Sequence, residues 1–412
     1  MADVMPSTRT LAITPIDGGI TAPTGFRSAA VHCGIKAKIG ALDLAVLAAD
    51  AFASMAALFT TNLAQAAPVL VSKRHLGVTH GVGCAIVVNS GCANACTGGE
   101  GLANAVAMAA ETAVDLGCEP EQVLVASTGV IGVGLRMDRV VPGIHAACAV
   151  IGRSHASEAA RAIMTTDPFP KEHAVRVDTS YGSFLVGGMA KGSGMIEPKM
   201  ATMLGFLTTD AQVTPAMLHR ALDDSARVTF NAITVDGECS TNDSLFAMSS
   251  GTSGVVITEE RYPALLEGLL AVSRNLALGI VRGGEGATKL IAVTVRNART
   301  GDDARQVART IANSPLVKTA VHGADPNWGR IVAAAGRAGV MFDMSRATVR
   351  VGGILLFENG LPHDDAAPKA VEMLKRDTVD IEMSLGAGDA AATIWGCDLS
   401  AEYVRINGEY RT

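Results

Sequence analysis

The central segment of the chain contains a threonine whose surroundings fit the chemistry of a nucleophile. Thr202 follows the small residue Ala201 within KGSGMIEPKMATMLGFLTTDA, and Gly192 and Gly194 lie upstream. A threonine at a newly made N-terminus carries its own base, because its free α-amine, with an ordinary pKa of about 8, can accept the hydroxyl proton. Such a residue must first be exposed by cutting the bond before it, and glycines allow the backbone to bend there. By residue type alone, a threonine after an alanine is more commonly an ordinary strand residue.

Other catalytic signatures are absent from the sequence. No G-x-S-x-G turn, H-E-x-x-H helix or G-x-x-x-x-G-K-[ST] loop occurs, and no G-x-G-x-x-G links a strand to a helix. Cys92 and Cys96 lack a second close pair of Cys or His ligands, so we expect no metal site. The eight cysteines are scattered, and several lie in apolar stretches. This distribution predicts buried thiols rather than disulfides.

Charge and hydropathy exclude several kinds of partner. The net charge is −6 and no block of Lys or Arg occurs, so the chain has no electrostatic reason to bind nucleic acid. The most apolar stretch, residues 41–59, contains Asp43 and Asp50, which are costly in lipid. We therefore interpret it as a buried helix rather than a membrane span. The N-terminal sequence lacks a basic start followed by an apolar core, so we expect a cytoplasmic protein.

Strand-like and helix-like segments alternate along the chain, which predicts an α/β or α+β protein of several layers. A strand at 122–129 ends in a tight turn at Thr128 and Gly129. Thr214 and Pro215 have the residue types of a helix N-cap and first position, and a strand at 230–238 follows that helix. We also predict a strand at 84–91, helices at 101–117, 259–278, 303–313 and 367–376, and a hairpin at 349–360. The length of 412 residues suits two or three domain-sized lobes.

The central segment resembles the cleavage-site motif of the glutamate N-acetyltransferase (ornithine acetyltransferase) family. Other blocks that resemble this family occur in the family's order over nearly the whole chain. They are GITAPTGFRSAAVHCGIK (19–36), NSGCANACTG (89–98), ASTGVIG (126–132), IMTTDPFPK (163–171), TFNAITVDGECSTND (229–243), GGEGATK (283–289), HGADPNWGRI (322–331) and NGEYRT (407–412).

The resemblance implies an autoprocessed enzyme with an N-terminal-nucleophile fold of the ornithine acetyltransferase/aminopeptidase type. The bond between Ala201 and Thr202 would be cut, which gives an α chain of residues 1–201 and a β chain of residues 202–412. Two of each would assemble into an α2β2 heterotetramer. The implied reaction is ping-pong: Thr202 takes the acetyl group from N2-acetylornithine and passes it to glutamate. No cofactor is implied, although some family members also use acetyl-CoA as a donor.

The resemblance also assigns roles to individual residues. Thr128 and Gly129 would stabilise the oxyanion of the tetrahedral intermediates, and a strand that ends in a glycine suits that role. Substrate would be bound by five further residues, which are Thr165, Lys191, Glu285, Asn407 and Thr412. The fixed charge of Lys191 suits an amino acid carboxylate, and Glu285 suits the distal ammonium of ornithine.

Three positions depart from the family's usual residues. Cys92 and Lys199 stand where Asn is common, and Pro168 stands where Thr is common. A cation at Lys199, three residues before the nucleophile, would alter the cutting rate or lower the pKa of the Thr202 amine. Three alternatives remain open at this level: a self-cleaving hydrolase of the L-aminopeptidase/D-amidase type, an acetyltransferase paralogue of secondary metabolism, and a non-enzymatic amino acid-binding protein.

Overall fold

The computed structural model describes residues 11–197 and 203–409. Within these ranges the chain forms two β-sheets with helices packed on them, so the predicted mixed α/β architecture is confirmed. The strands are β1 (Ala12–Ile16), β2 (Phe26–Val31), β3 (Leu44–Phe59), β4 (Val82–Cys92), β5 (Val123–Val130), β6 (Lys171–Thr179), β7 (Gly182–Lys191), β8 (Leu204–Thr209), β9 (Ser244–Ser249), β10 (Leu290–Ala298), β11 (Thr348–Val351), β12 (Ile354–Glu358), β13 (Leu361–Pro362), β14 (Thr378–Ser384) and β15 (Ala390–Cys397).

The helices of the described residues follow the same numbering. They are α1 (Ala67–Thr79), α2 (Gly98–Leu116), α3 (Met137–Ala149), α4 (Ala156–Ala162), α5 (Pro215–Arg227), α6 (Tyr262–Arg282), α7 (Gly301–Ala312), α8 (Pro315–His322), α9 (Trp328–Gly336), α10 (Ala367–Leu374) and α11 (Ala401–Glu409). The predicted ends are accurate in two places. Gly117 ends α2 in the left-handed conformation, and the hydroxyl of Thr214 accepts from the Met217 N–H to cap α5.

The larger sheet of the described chain runs in the order β1-β6-β7-β8-β9-β3-β4-β5, with β2 also paired to β3. Two pairs within it, β4–β5 and β8–β9, are parallel, while β7 and β8 are antiparallel. The smaller sheet runs in the order β13-β12-β11-β14-β10-β15. Helix α6 packs on β6 and β7 of the larger sheet and also contacts β15 of the smaller one. The core around α6 therefore joins the two sheets.

The prediction of a buried helix at 41–59 is wrong, because this stretch is the long strand β3. Its first half lies between β2 and β4, and its second half pairs with β9. Alternate residues therefore enter cores on both faces of the sheet, which requires an apolar run without helical periodicity. Asp43 is buried just before the strand, where it accepts the N–H groups of residues 33–36.

The predicted strand at 230–238 is also wrong. Residues Phe230–Ala232 form a short 3-10 turn, and the chain beyond them makes a single isolated bridge, between Ile233 and Trp395. The N–H of Thr234 donates to the smaller sheet at Trp395, whereas the N–H of Val235 donates to Ile196. Because its hydrogen bonds go to two different segments, the stretch runs between them and does not form a strand of either sheet.

Helix α6 is the helix of the described residues that is long and apolar enough to cross a membrane, by length and composition alone. Its apolar side chains, among them Leu265, Leu269, Leu276 and Ile280, are buried against the larger sheet. Its composition is that of a core helix between two layers.

Candidate active site

A pocket lies where β7 ends, β8 begins and the loop before β9 passes. It encloses about 830 Å³ of empty space, which includes the open solvent at its mouth. The lining residues come from eight segments of the chain and are Ala93, Thr128, Gly129, Ile131, Thr165, Thr166, Lys191, Gly194, Met195, Met203, Leu204, Asp236, Glu238, Ser240, Thr241, Asn242, Asp243, Glu285, Tyr403 and Asn407. Six residues with predicted roles, Thr128, Gly129, Thr165, Lys191, Glu285 and Asn407, are thereby brought together.

The remaining predicted residues fall outside the described ranges. These are the cleavage pair Ala201 and Thr202, the neighbouring Lys199, and the terminal Thr412. The chain re-enters the described structure at Met203, which lines the pocket and whose carbonyl accepts from the N–H of Ser244. Leu204 then pairs with Lys191 across the sheet.

Thr128 and Gly129 lie at the end of β5, where its parallel pairing with β4 is interrupted by a bulge at Gly91 and Cys92. Gly129 has a φ of +130°, and a Cβ there would lie 2.3 Å from the carbonyl carbon of Gly91. Both the conformation and the close approach exclude any other residue. Thr128 is 6% exposed. The predicted tight turn lies two to three residues later, at Ile131 and Gly132. Thr128 and Gly129 themselves are rigid strand backbone beside the pocket, as an oxyanion site requires.

A buried polar network holds the end of β5. The central residue of this network, Asn242, was missed by sequence reasoning. Its side-chain amide donates to the carbonyls of Ala93 at 2.6 Å and Ser127 at 2.9 Å. Ser127 in turn donates to Asn89, whose amide donates to Cys92. The loop before β9 is thus fixed to the ends of β4 and β5. Its signal in the sequence was a polar run, STND, directly before an apolar strand.

Among the lining residues that the structure describes, Lys191 carries the positive charge. It is half-buried at the end of β7. Burial lowers its pKa, while the carboxylates of Asp167, Asp243 and Glu285 oppose that shift and Lys171 adds to it. An anion that binds beside Lys191 would restore the charge that burial penalises. The predicted binding of a carboxylate therefore has a physical basis in the site.

Asp167 lies behind Lys191 and was not singled out by sequence reasoning. It accepts from Lys171 Nζ at 2.5 Å and from the N–H groups of Gly192 at 2.7 Å and Thr165 at 3.0 Å. Burial alone would raise the pKa of this carboxyl, but Lys171, Lys191 and the Gly192 N–H together hold it below its usual value. Asp167 is therefore an ionised group that positions Thr165 and the chain after Lys191.

Asp243 is the second buried carboxyl beside Lys191, at 2% exposure. Burial raises its pKa well above the usual range, although Lys191 and hydrogen bonds from Ser240 and Thr60 oppose the shift. The Sγ of Cys239 lies 3.9 Å from its Oδ2. This carboxyl holds a proton over a wider pH range than an ordinary aspartate.

Glu285 is 6% exposed and also lines the pocket. The side-chain amide of Asn407, from α11, donates to its Oε2 at 2.7 Å, and its backbone N–H donates to the Ser193 carbonyl at 3.1 Å. A Cβ on Gly194 would lie 2.3 Å from the same Oε2, so only glycine leaves room for the carboxylate. The predicted pair Glu285 and Asn407 thus forms one hydrogen-bonded unit.

Two departures from the family's usual residues lie in the described structure. Cys92 is buried, and its Sγ donates to the carbonyl of Val133 at 3.3 Å, so it supports the loop after β5. Pro168 is exposed and does not line the pocket, and nothing in the structure links it to substrate. Among the described residues no His, Cys, Asp and Glu groups could hold a metal ion, and all eight cysteines are free thiols.

Comparison with known proteins agrees with the motifs. A family model described as the ArgJ family matches residues 27–412. The arginine biosynthesis bifunctional protein ArgJ of Dehalococcoides mccartyi (strain CBDB1) is 48% identical over 402 residues, covering 96% of this chain and 98% of the relative. The protein of the same name from Symbiobacterium thermophilum is 47% identical over 401 residues, covering 96% and 99%.

Solved structures include the arginine biosynthesis bifunctional protein ArgJ of Bacillus halodurans. It is 40% identical with a TM-score of 0.49, and the match covers 51% of this chain and 100% of that one. The resemblance drawn from the sequence blocks is confirmed by the family model and the relatives. The chain therefore belongs to the ArgJ family, the acyltransferases of arginine biosynthesis.

Proposed function

We propose that this chain cuts itself between Ala201 and Thr202 and then transfers the acetyl group of N2-acetylornithine to glutamate through Thr202. The observation that carries the proposal is that three features line one pocket: the rigid end of a strand, a lysine that burial desolvates, and a buried carboxylate with its amide partner. They are Thr128–Gly129, Lys191 and Glu285–Asn407. Met203 and Leu204, which directly follow Thr202, line the same pocket.

The cut would be an N-to-O acyl shift. The Thr202 hydroxyl oxygen attacks the Ala201 carbonyl carbon, the C–N bond breaks and an ester forms, and water then opens the ester. The products are a carboxylate at Ala201 and a free α-amine at Thr202. Residues 1–201 and 202–412 would then form the α and β chains, and two copies of each would assemble as α2β2.

In the transfer, the Thr202 amine takes the hydroxyl proton as the oxygen attacks the acetyl carbonyl. The oxyanion is held at Thr128 and Gly129. The C–N bond then breaks, and the α-amine of ornithine leaves with the proton. The α-amine of glutamate then attacks the acetyl ester by the reverse route, which frees Thr202. The sequence of bonds made and broken needs no metal and no bound cofactor.

Substrate orientation follows from the charges of the pocket. Asp167 is committed to Lys171 and to two backbone N–H groups, and burial raises the pKa of Asp243, so this carboxyl loses its proton less readily than an ordinary aspartate. Lys191 is therefore available to the α-carboxylate of either substrate. The Glu285–Asn407 unit would receive the distal ammonium of ornithine, and Thr165 and Thr412 would complete the binding set.

The name shared by the curated relatives, bifunctional protein, favours a second activity. We propose that acetyl-CoA is a further acetyl donor to Thr202, with glutamate again as acceptor. Its test is the release of free CoA when cut enzyme is supplied with acetyl-CoA and glutamate. Equal release when glutamate is omitted would point to hydrolysis instead of transfer.

The first experiment is intact mass measurement of the full chain and of Thr202→Ala. We expect two fragments from the natural chain, the second beginning at Thr202, and a whole variant of 42.3 kDa. A folded natural chain that stays whole would overturn the proposal. For the transfer itself, acetylornithine is supplied with and without glutamate. Sustained acetate release without glutamate would favour the hydrolase alternative.

A further inference from the structure

We propose that Asp236 is the positioning residue that clamps the backbone leading into the cleavage site, both before and after the cut. This inference rests on the proposed function, because it concerns the same bond. The clamped segment, residues 193–197, is called the strap below. Asp236 belongs to the segment after the cut and the strap to the segment before it, so the contacts cross the proposed break.

The carboxylate of Asp236 accepts two successive N–H groups of the strap. Its Oδ2 accepts from Met195 at 2.6 Å, and its Oδ1 accepts from Ile196 at 2.8 Å. Oδ1 also accepts the N–H of Glu238 at 3.2 Å. Hydrogen bonds from N–H groups to an ionised carboxylate are short and about twice as strong as neutral ones. One side chain therefore sets the direction of two consecutive peptide planes.

The strap needs such a clamp because its conformation is not one the chain adopts readily. Met195 has a φ of +57°, in the left-handed region that a residue with an unbranched side chain occupies at a cost. Ile196 is 1% exposed, and its carbonyl accepts from the N–H of Val235 at 2.7 Å. Both the N–H and the carbonyl of Ile196 are therefore hydrogen-bonded, to Asp236 and to Val235, and these two bonds fix the strap.

Asp236 also joins the strap to the C-terminal helix. The Tyr403 hydroxyl, on α11, donates to its Oδ2 at 3.3 Å. The same helix contributes Asn407, which donates to Glu285, and the N–H of Glu285 donates back to Ser193 of the strap. Three segments that line the pocket are therefore connected through one carboxylate.

A carboxylate is the side chain that this arrangement requires. Both oxygens of Asp236 accept, whereas an asparagine of the same shape would present one oxygen and one N–H₂ donor. In Asp236→Asn, one of the two strap N–H groups would face another donor. The strap would shift, and the approach of the Thr202 hydroxyl to the Ala201 carbonyl would lose its alignment.

The test compares Asp236→Asn with the matched control Asp210→Asn. Asp210 also accepts backbone N–H groups, from Leu185 at 2.7 Å and Thr24 at 3.2 Å, but it is buried whereas Asp236 is half-buried, and it follows the far end of β8. Cutting is followed by pulse-chase labelling in a cell-free translation reaction, and KM and kcat for acetylornithine are then measured per mole of cut chain.

For Asp236→Asn we expect cutting to slow by about 10-fold or more and KM to rise by a similar factor, because misalignment by about 1 Å costs up to about 100-fold. Asp210→Asn should lower thermal stability while it leaves both rates within about two-fold, since distant sites act independently. Tyr403→Phe removes one of the bonds and should give a smaller change in the same direction.

Two results would overturn the inference. One is an Asp236→Asn chain that cuts at the natural rate with an unchanged KM. The other needs no variant: hydrogen exchange of the natural protein in which the Met195 and Ile196 amides exchange as freely as exposed loop amides. A natural chain that never cuts would instead refute the proposed function, so the two failures are distinguishable.

Discussion

Two buried carboxyl groups flank Lys191, and the protein treats them in opposite ways. Asp167, before the proposed cut, is bound by a buried ammonium and two N–H groups, which hold its pKa below the usual range. Asp243, after the cut, has hydroxyl and N–H donors but no cation of its own, and burial raises its pKa. The same type of side chain therefore has a lowered pKa at one of these positions and a raised pKa at the other.

The difference shows that burial alone does not decide the charge of a site. Lys171 lies 2.5 Å from Asp167, so that pair is neutral in sum. Asp243 has a raised pKa and so holds its proton over a wider pH range than an ordinary aspartate. Asp167 is shared with Lys171, and the raised pKa of Asp243 weakens its charge, so Lys191 can still gain from binding a small carboxylate.

The largest expected effect comes from breaking the Asp167 side. Asp167→Asn leaves the Lys171 ammonium, 2% exposed, without a counter-ion, so we expect a loss of about 3–5 kcal/mol in the free energy of unfolding. Urea denaturation measures it. The control is Asp223→Asn, which removes an exposed i,i+4 pair with Arg227 and should cost about 0–1 kcal/mol. Equal losses would mean that burial of the Asp167 pair has no special weight.

Removing the charge between the two carboxyls should affect catalysis more than folding. Lys191→Met is expected to lower kcat/KM for acetylornithine by about 30- to 1,000-fold, because a charged hydrogen bond contributes about 2–4 kcal/mol when its partner is left unpaired. Steady-state kinetics on cut enzyme measures this. Lys369→Met, an exposed residue of α10, is the control and should change nothing measurable. An undiminished kcat/KM would remove Lys191 from the binding set.

The two carboxyls should give stability opposite dependences on pH. Since the pKa of Asp243 is raised, the folded state keeps a proton that the unfolded state releases above the usual carboxyl range, so this group makes stability fall as the pH rises through that window. In Asp243→Asn that fall should be shallower. Asp167 acts the other way: its contribution is present above the usual carboxyl range and is lost as the pH falls through its lowered pKa.

Denaturant titrations of the natural chain and of both asparagine variants across acidic to alkaline pH separate these contributions. A pH profile for Asp243→Asn that is parallel to that of the natural chain would contradict the assignment of a held proton.

The smallest expected effect is a change in the pKa of Asp243. Cys239→Ser replaces a weak S–H donor 3.9 Å from Asp243 with a hydroxyl, which should lower the pKa of that carboxyl by less than about one, since a neutral hydrogen bond contributes about 1 kcal/mol. The measurement is the midpoint of the Asp243-dependent change in stability. A shift upward would mean that the new hydroxyl bonds elsewhere, as Thr60 already donates to the Ser240 carbonyl.

Sequence patterns predicted the elements whose signal is local. The cap at Thr214, the glycine that ends α2 and the hairpin of β11 and β12 follow from turn and cap chemistry within a few residues. The Ala-rich stretch of β3 and the stretch after Phe230 were assigned wrongly. Their structures depend on which strands or sheets lie beside them, and periodicity does not contain that information.

The same distinction holds for the site. The residues that the family resemblance selected and that the structure describes share one pocket, but the supporting groups were not visible in advance. Asp167, Asn242 and Asp236 act through partners 25, 115 and 41 positions away in the sequence. Pairings of such separation arise only once the sheet has formed, so the side-chain type alone does not reveal them.

The order of the larger sheet has a consequence for how this gene product can be divided. Strands β8 and β9, which follow the proposed cut, lie between β7 and β3, which precede it. Made alone, the first piece would have a gap between β7 and β3, and the second would expose both edges of the β8–β9 pair. Such unpaired strand edges promote aggregation. The proposed pieces would therefore have to arise from a chain that has already folded, with covalent continuity needed for assembly and dispensable after the cut.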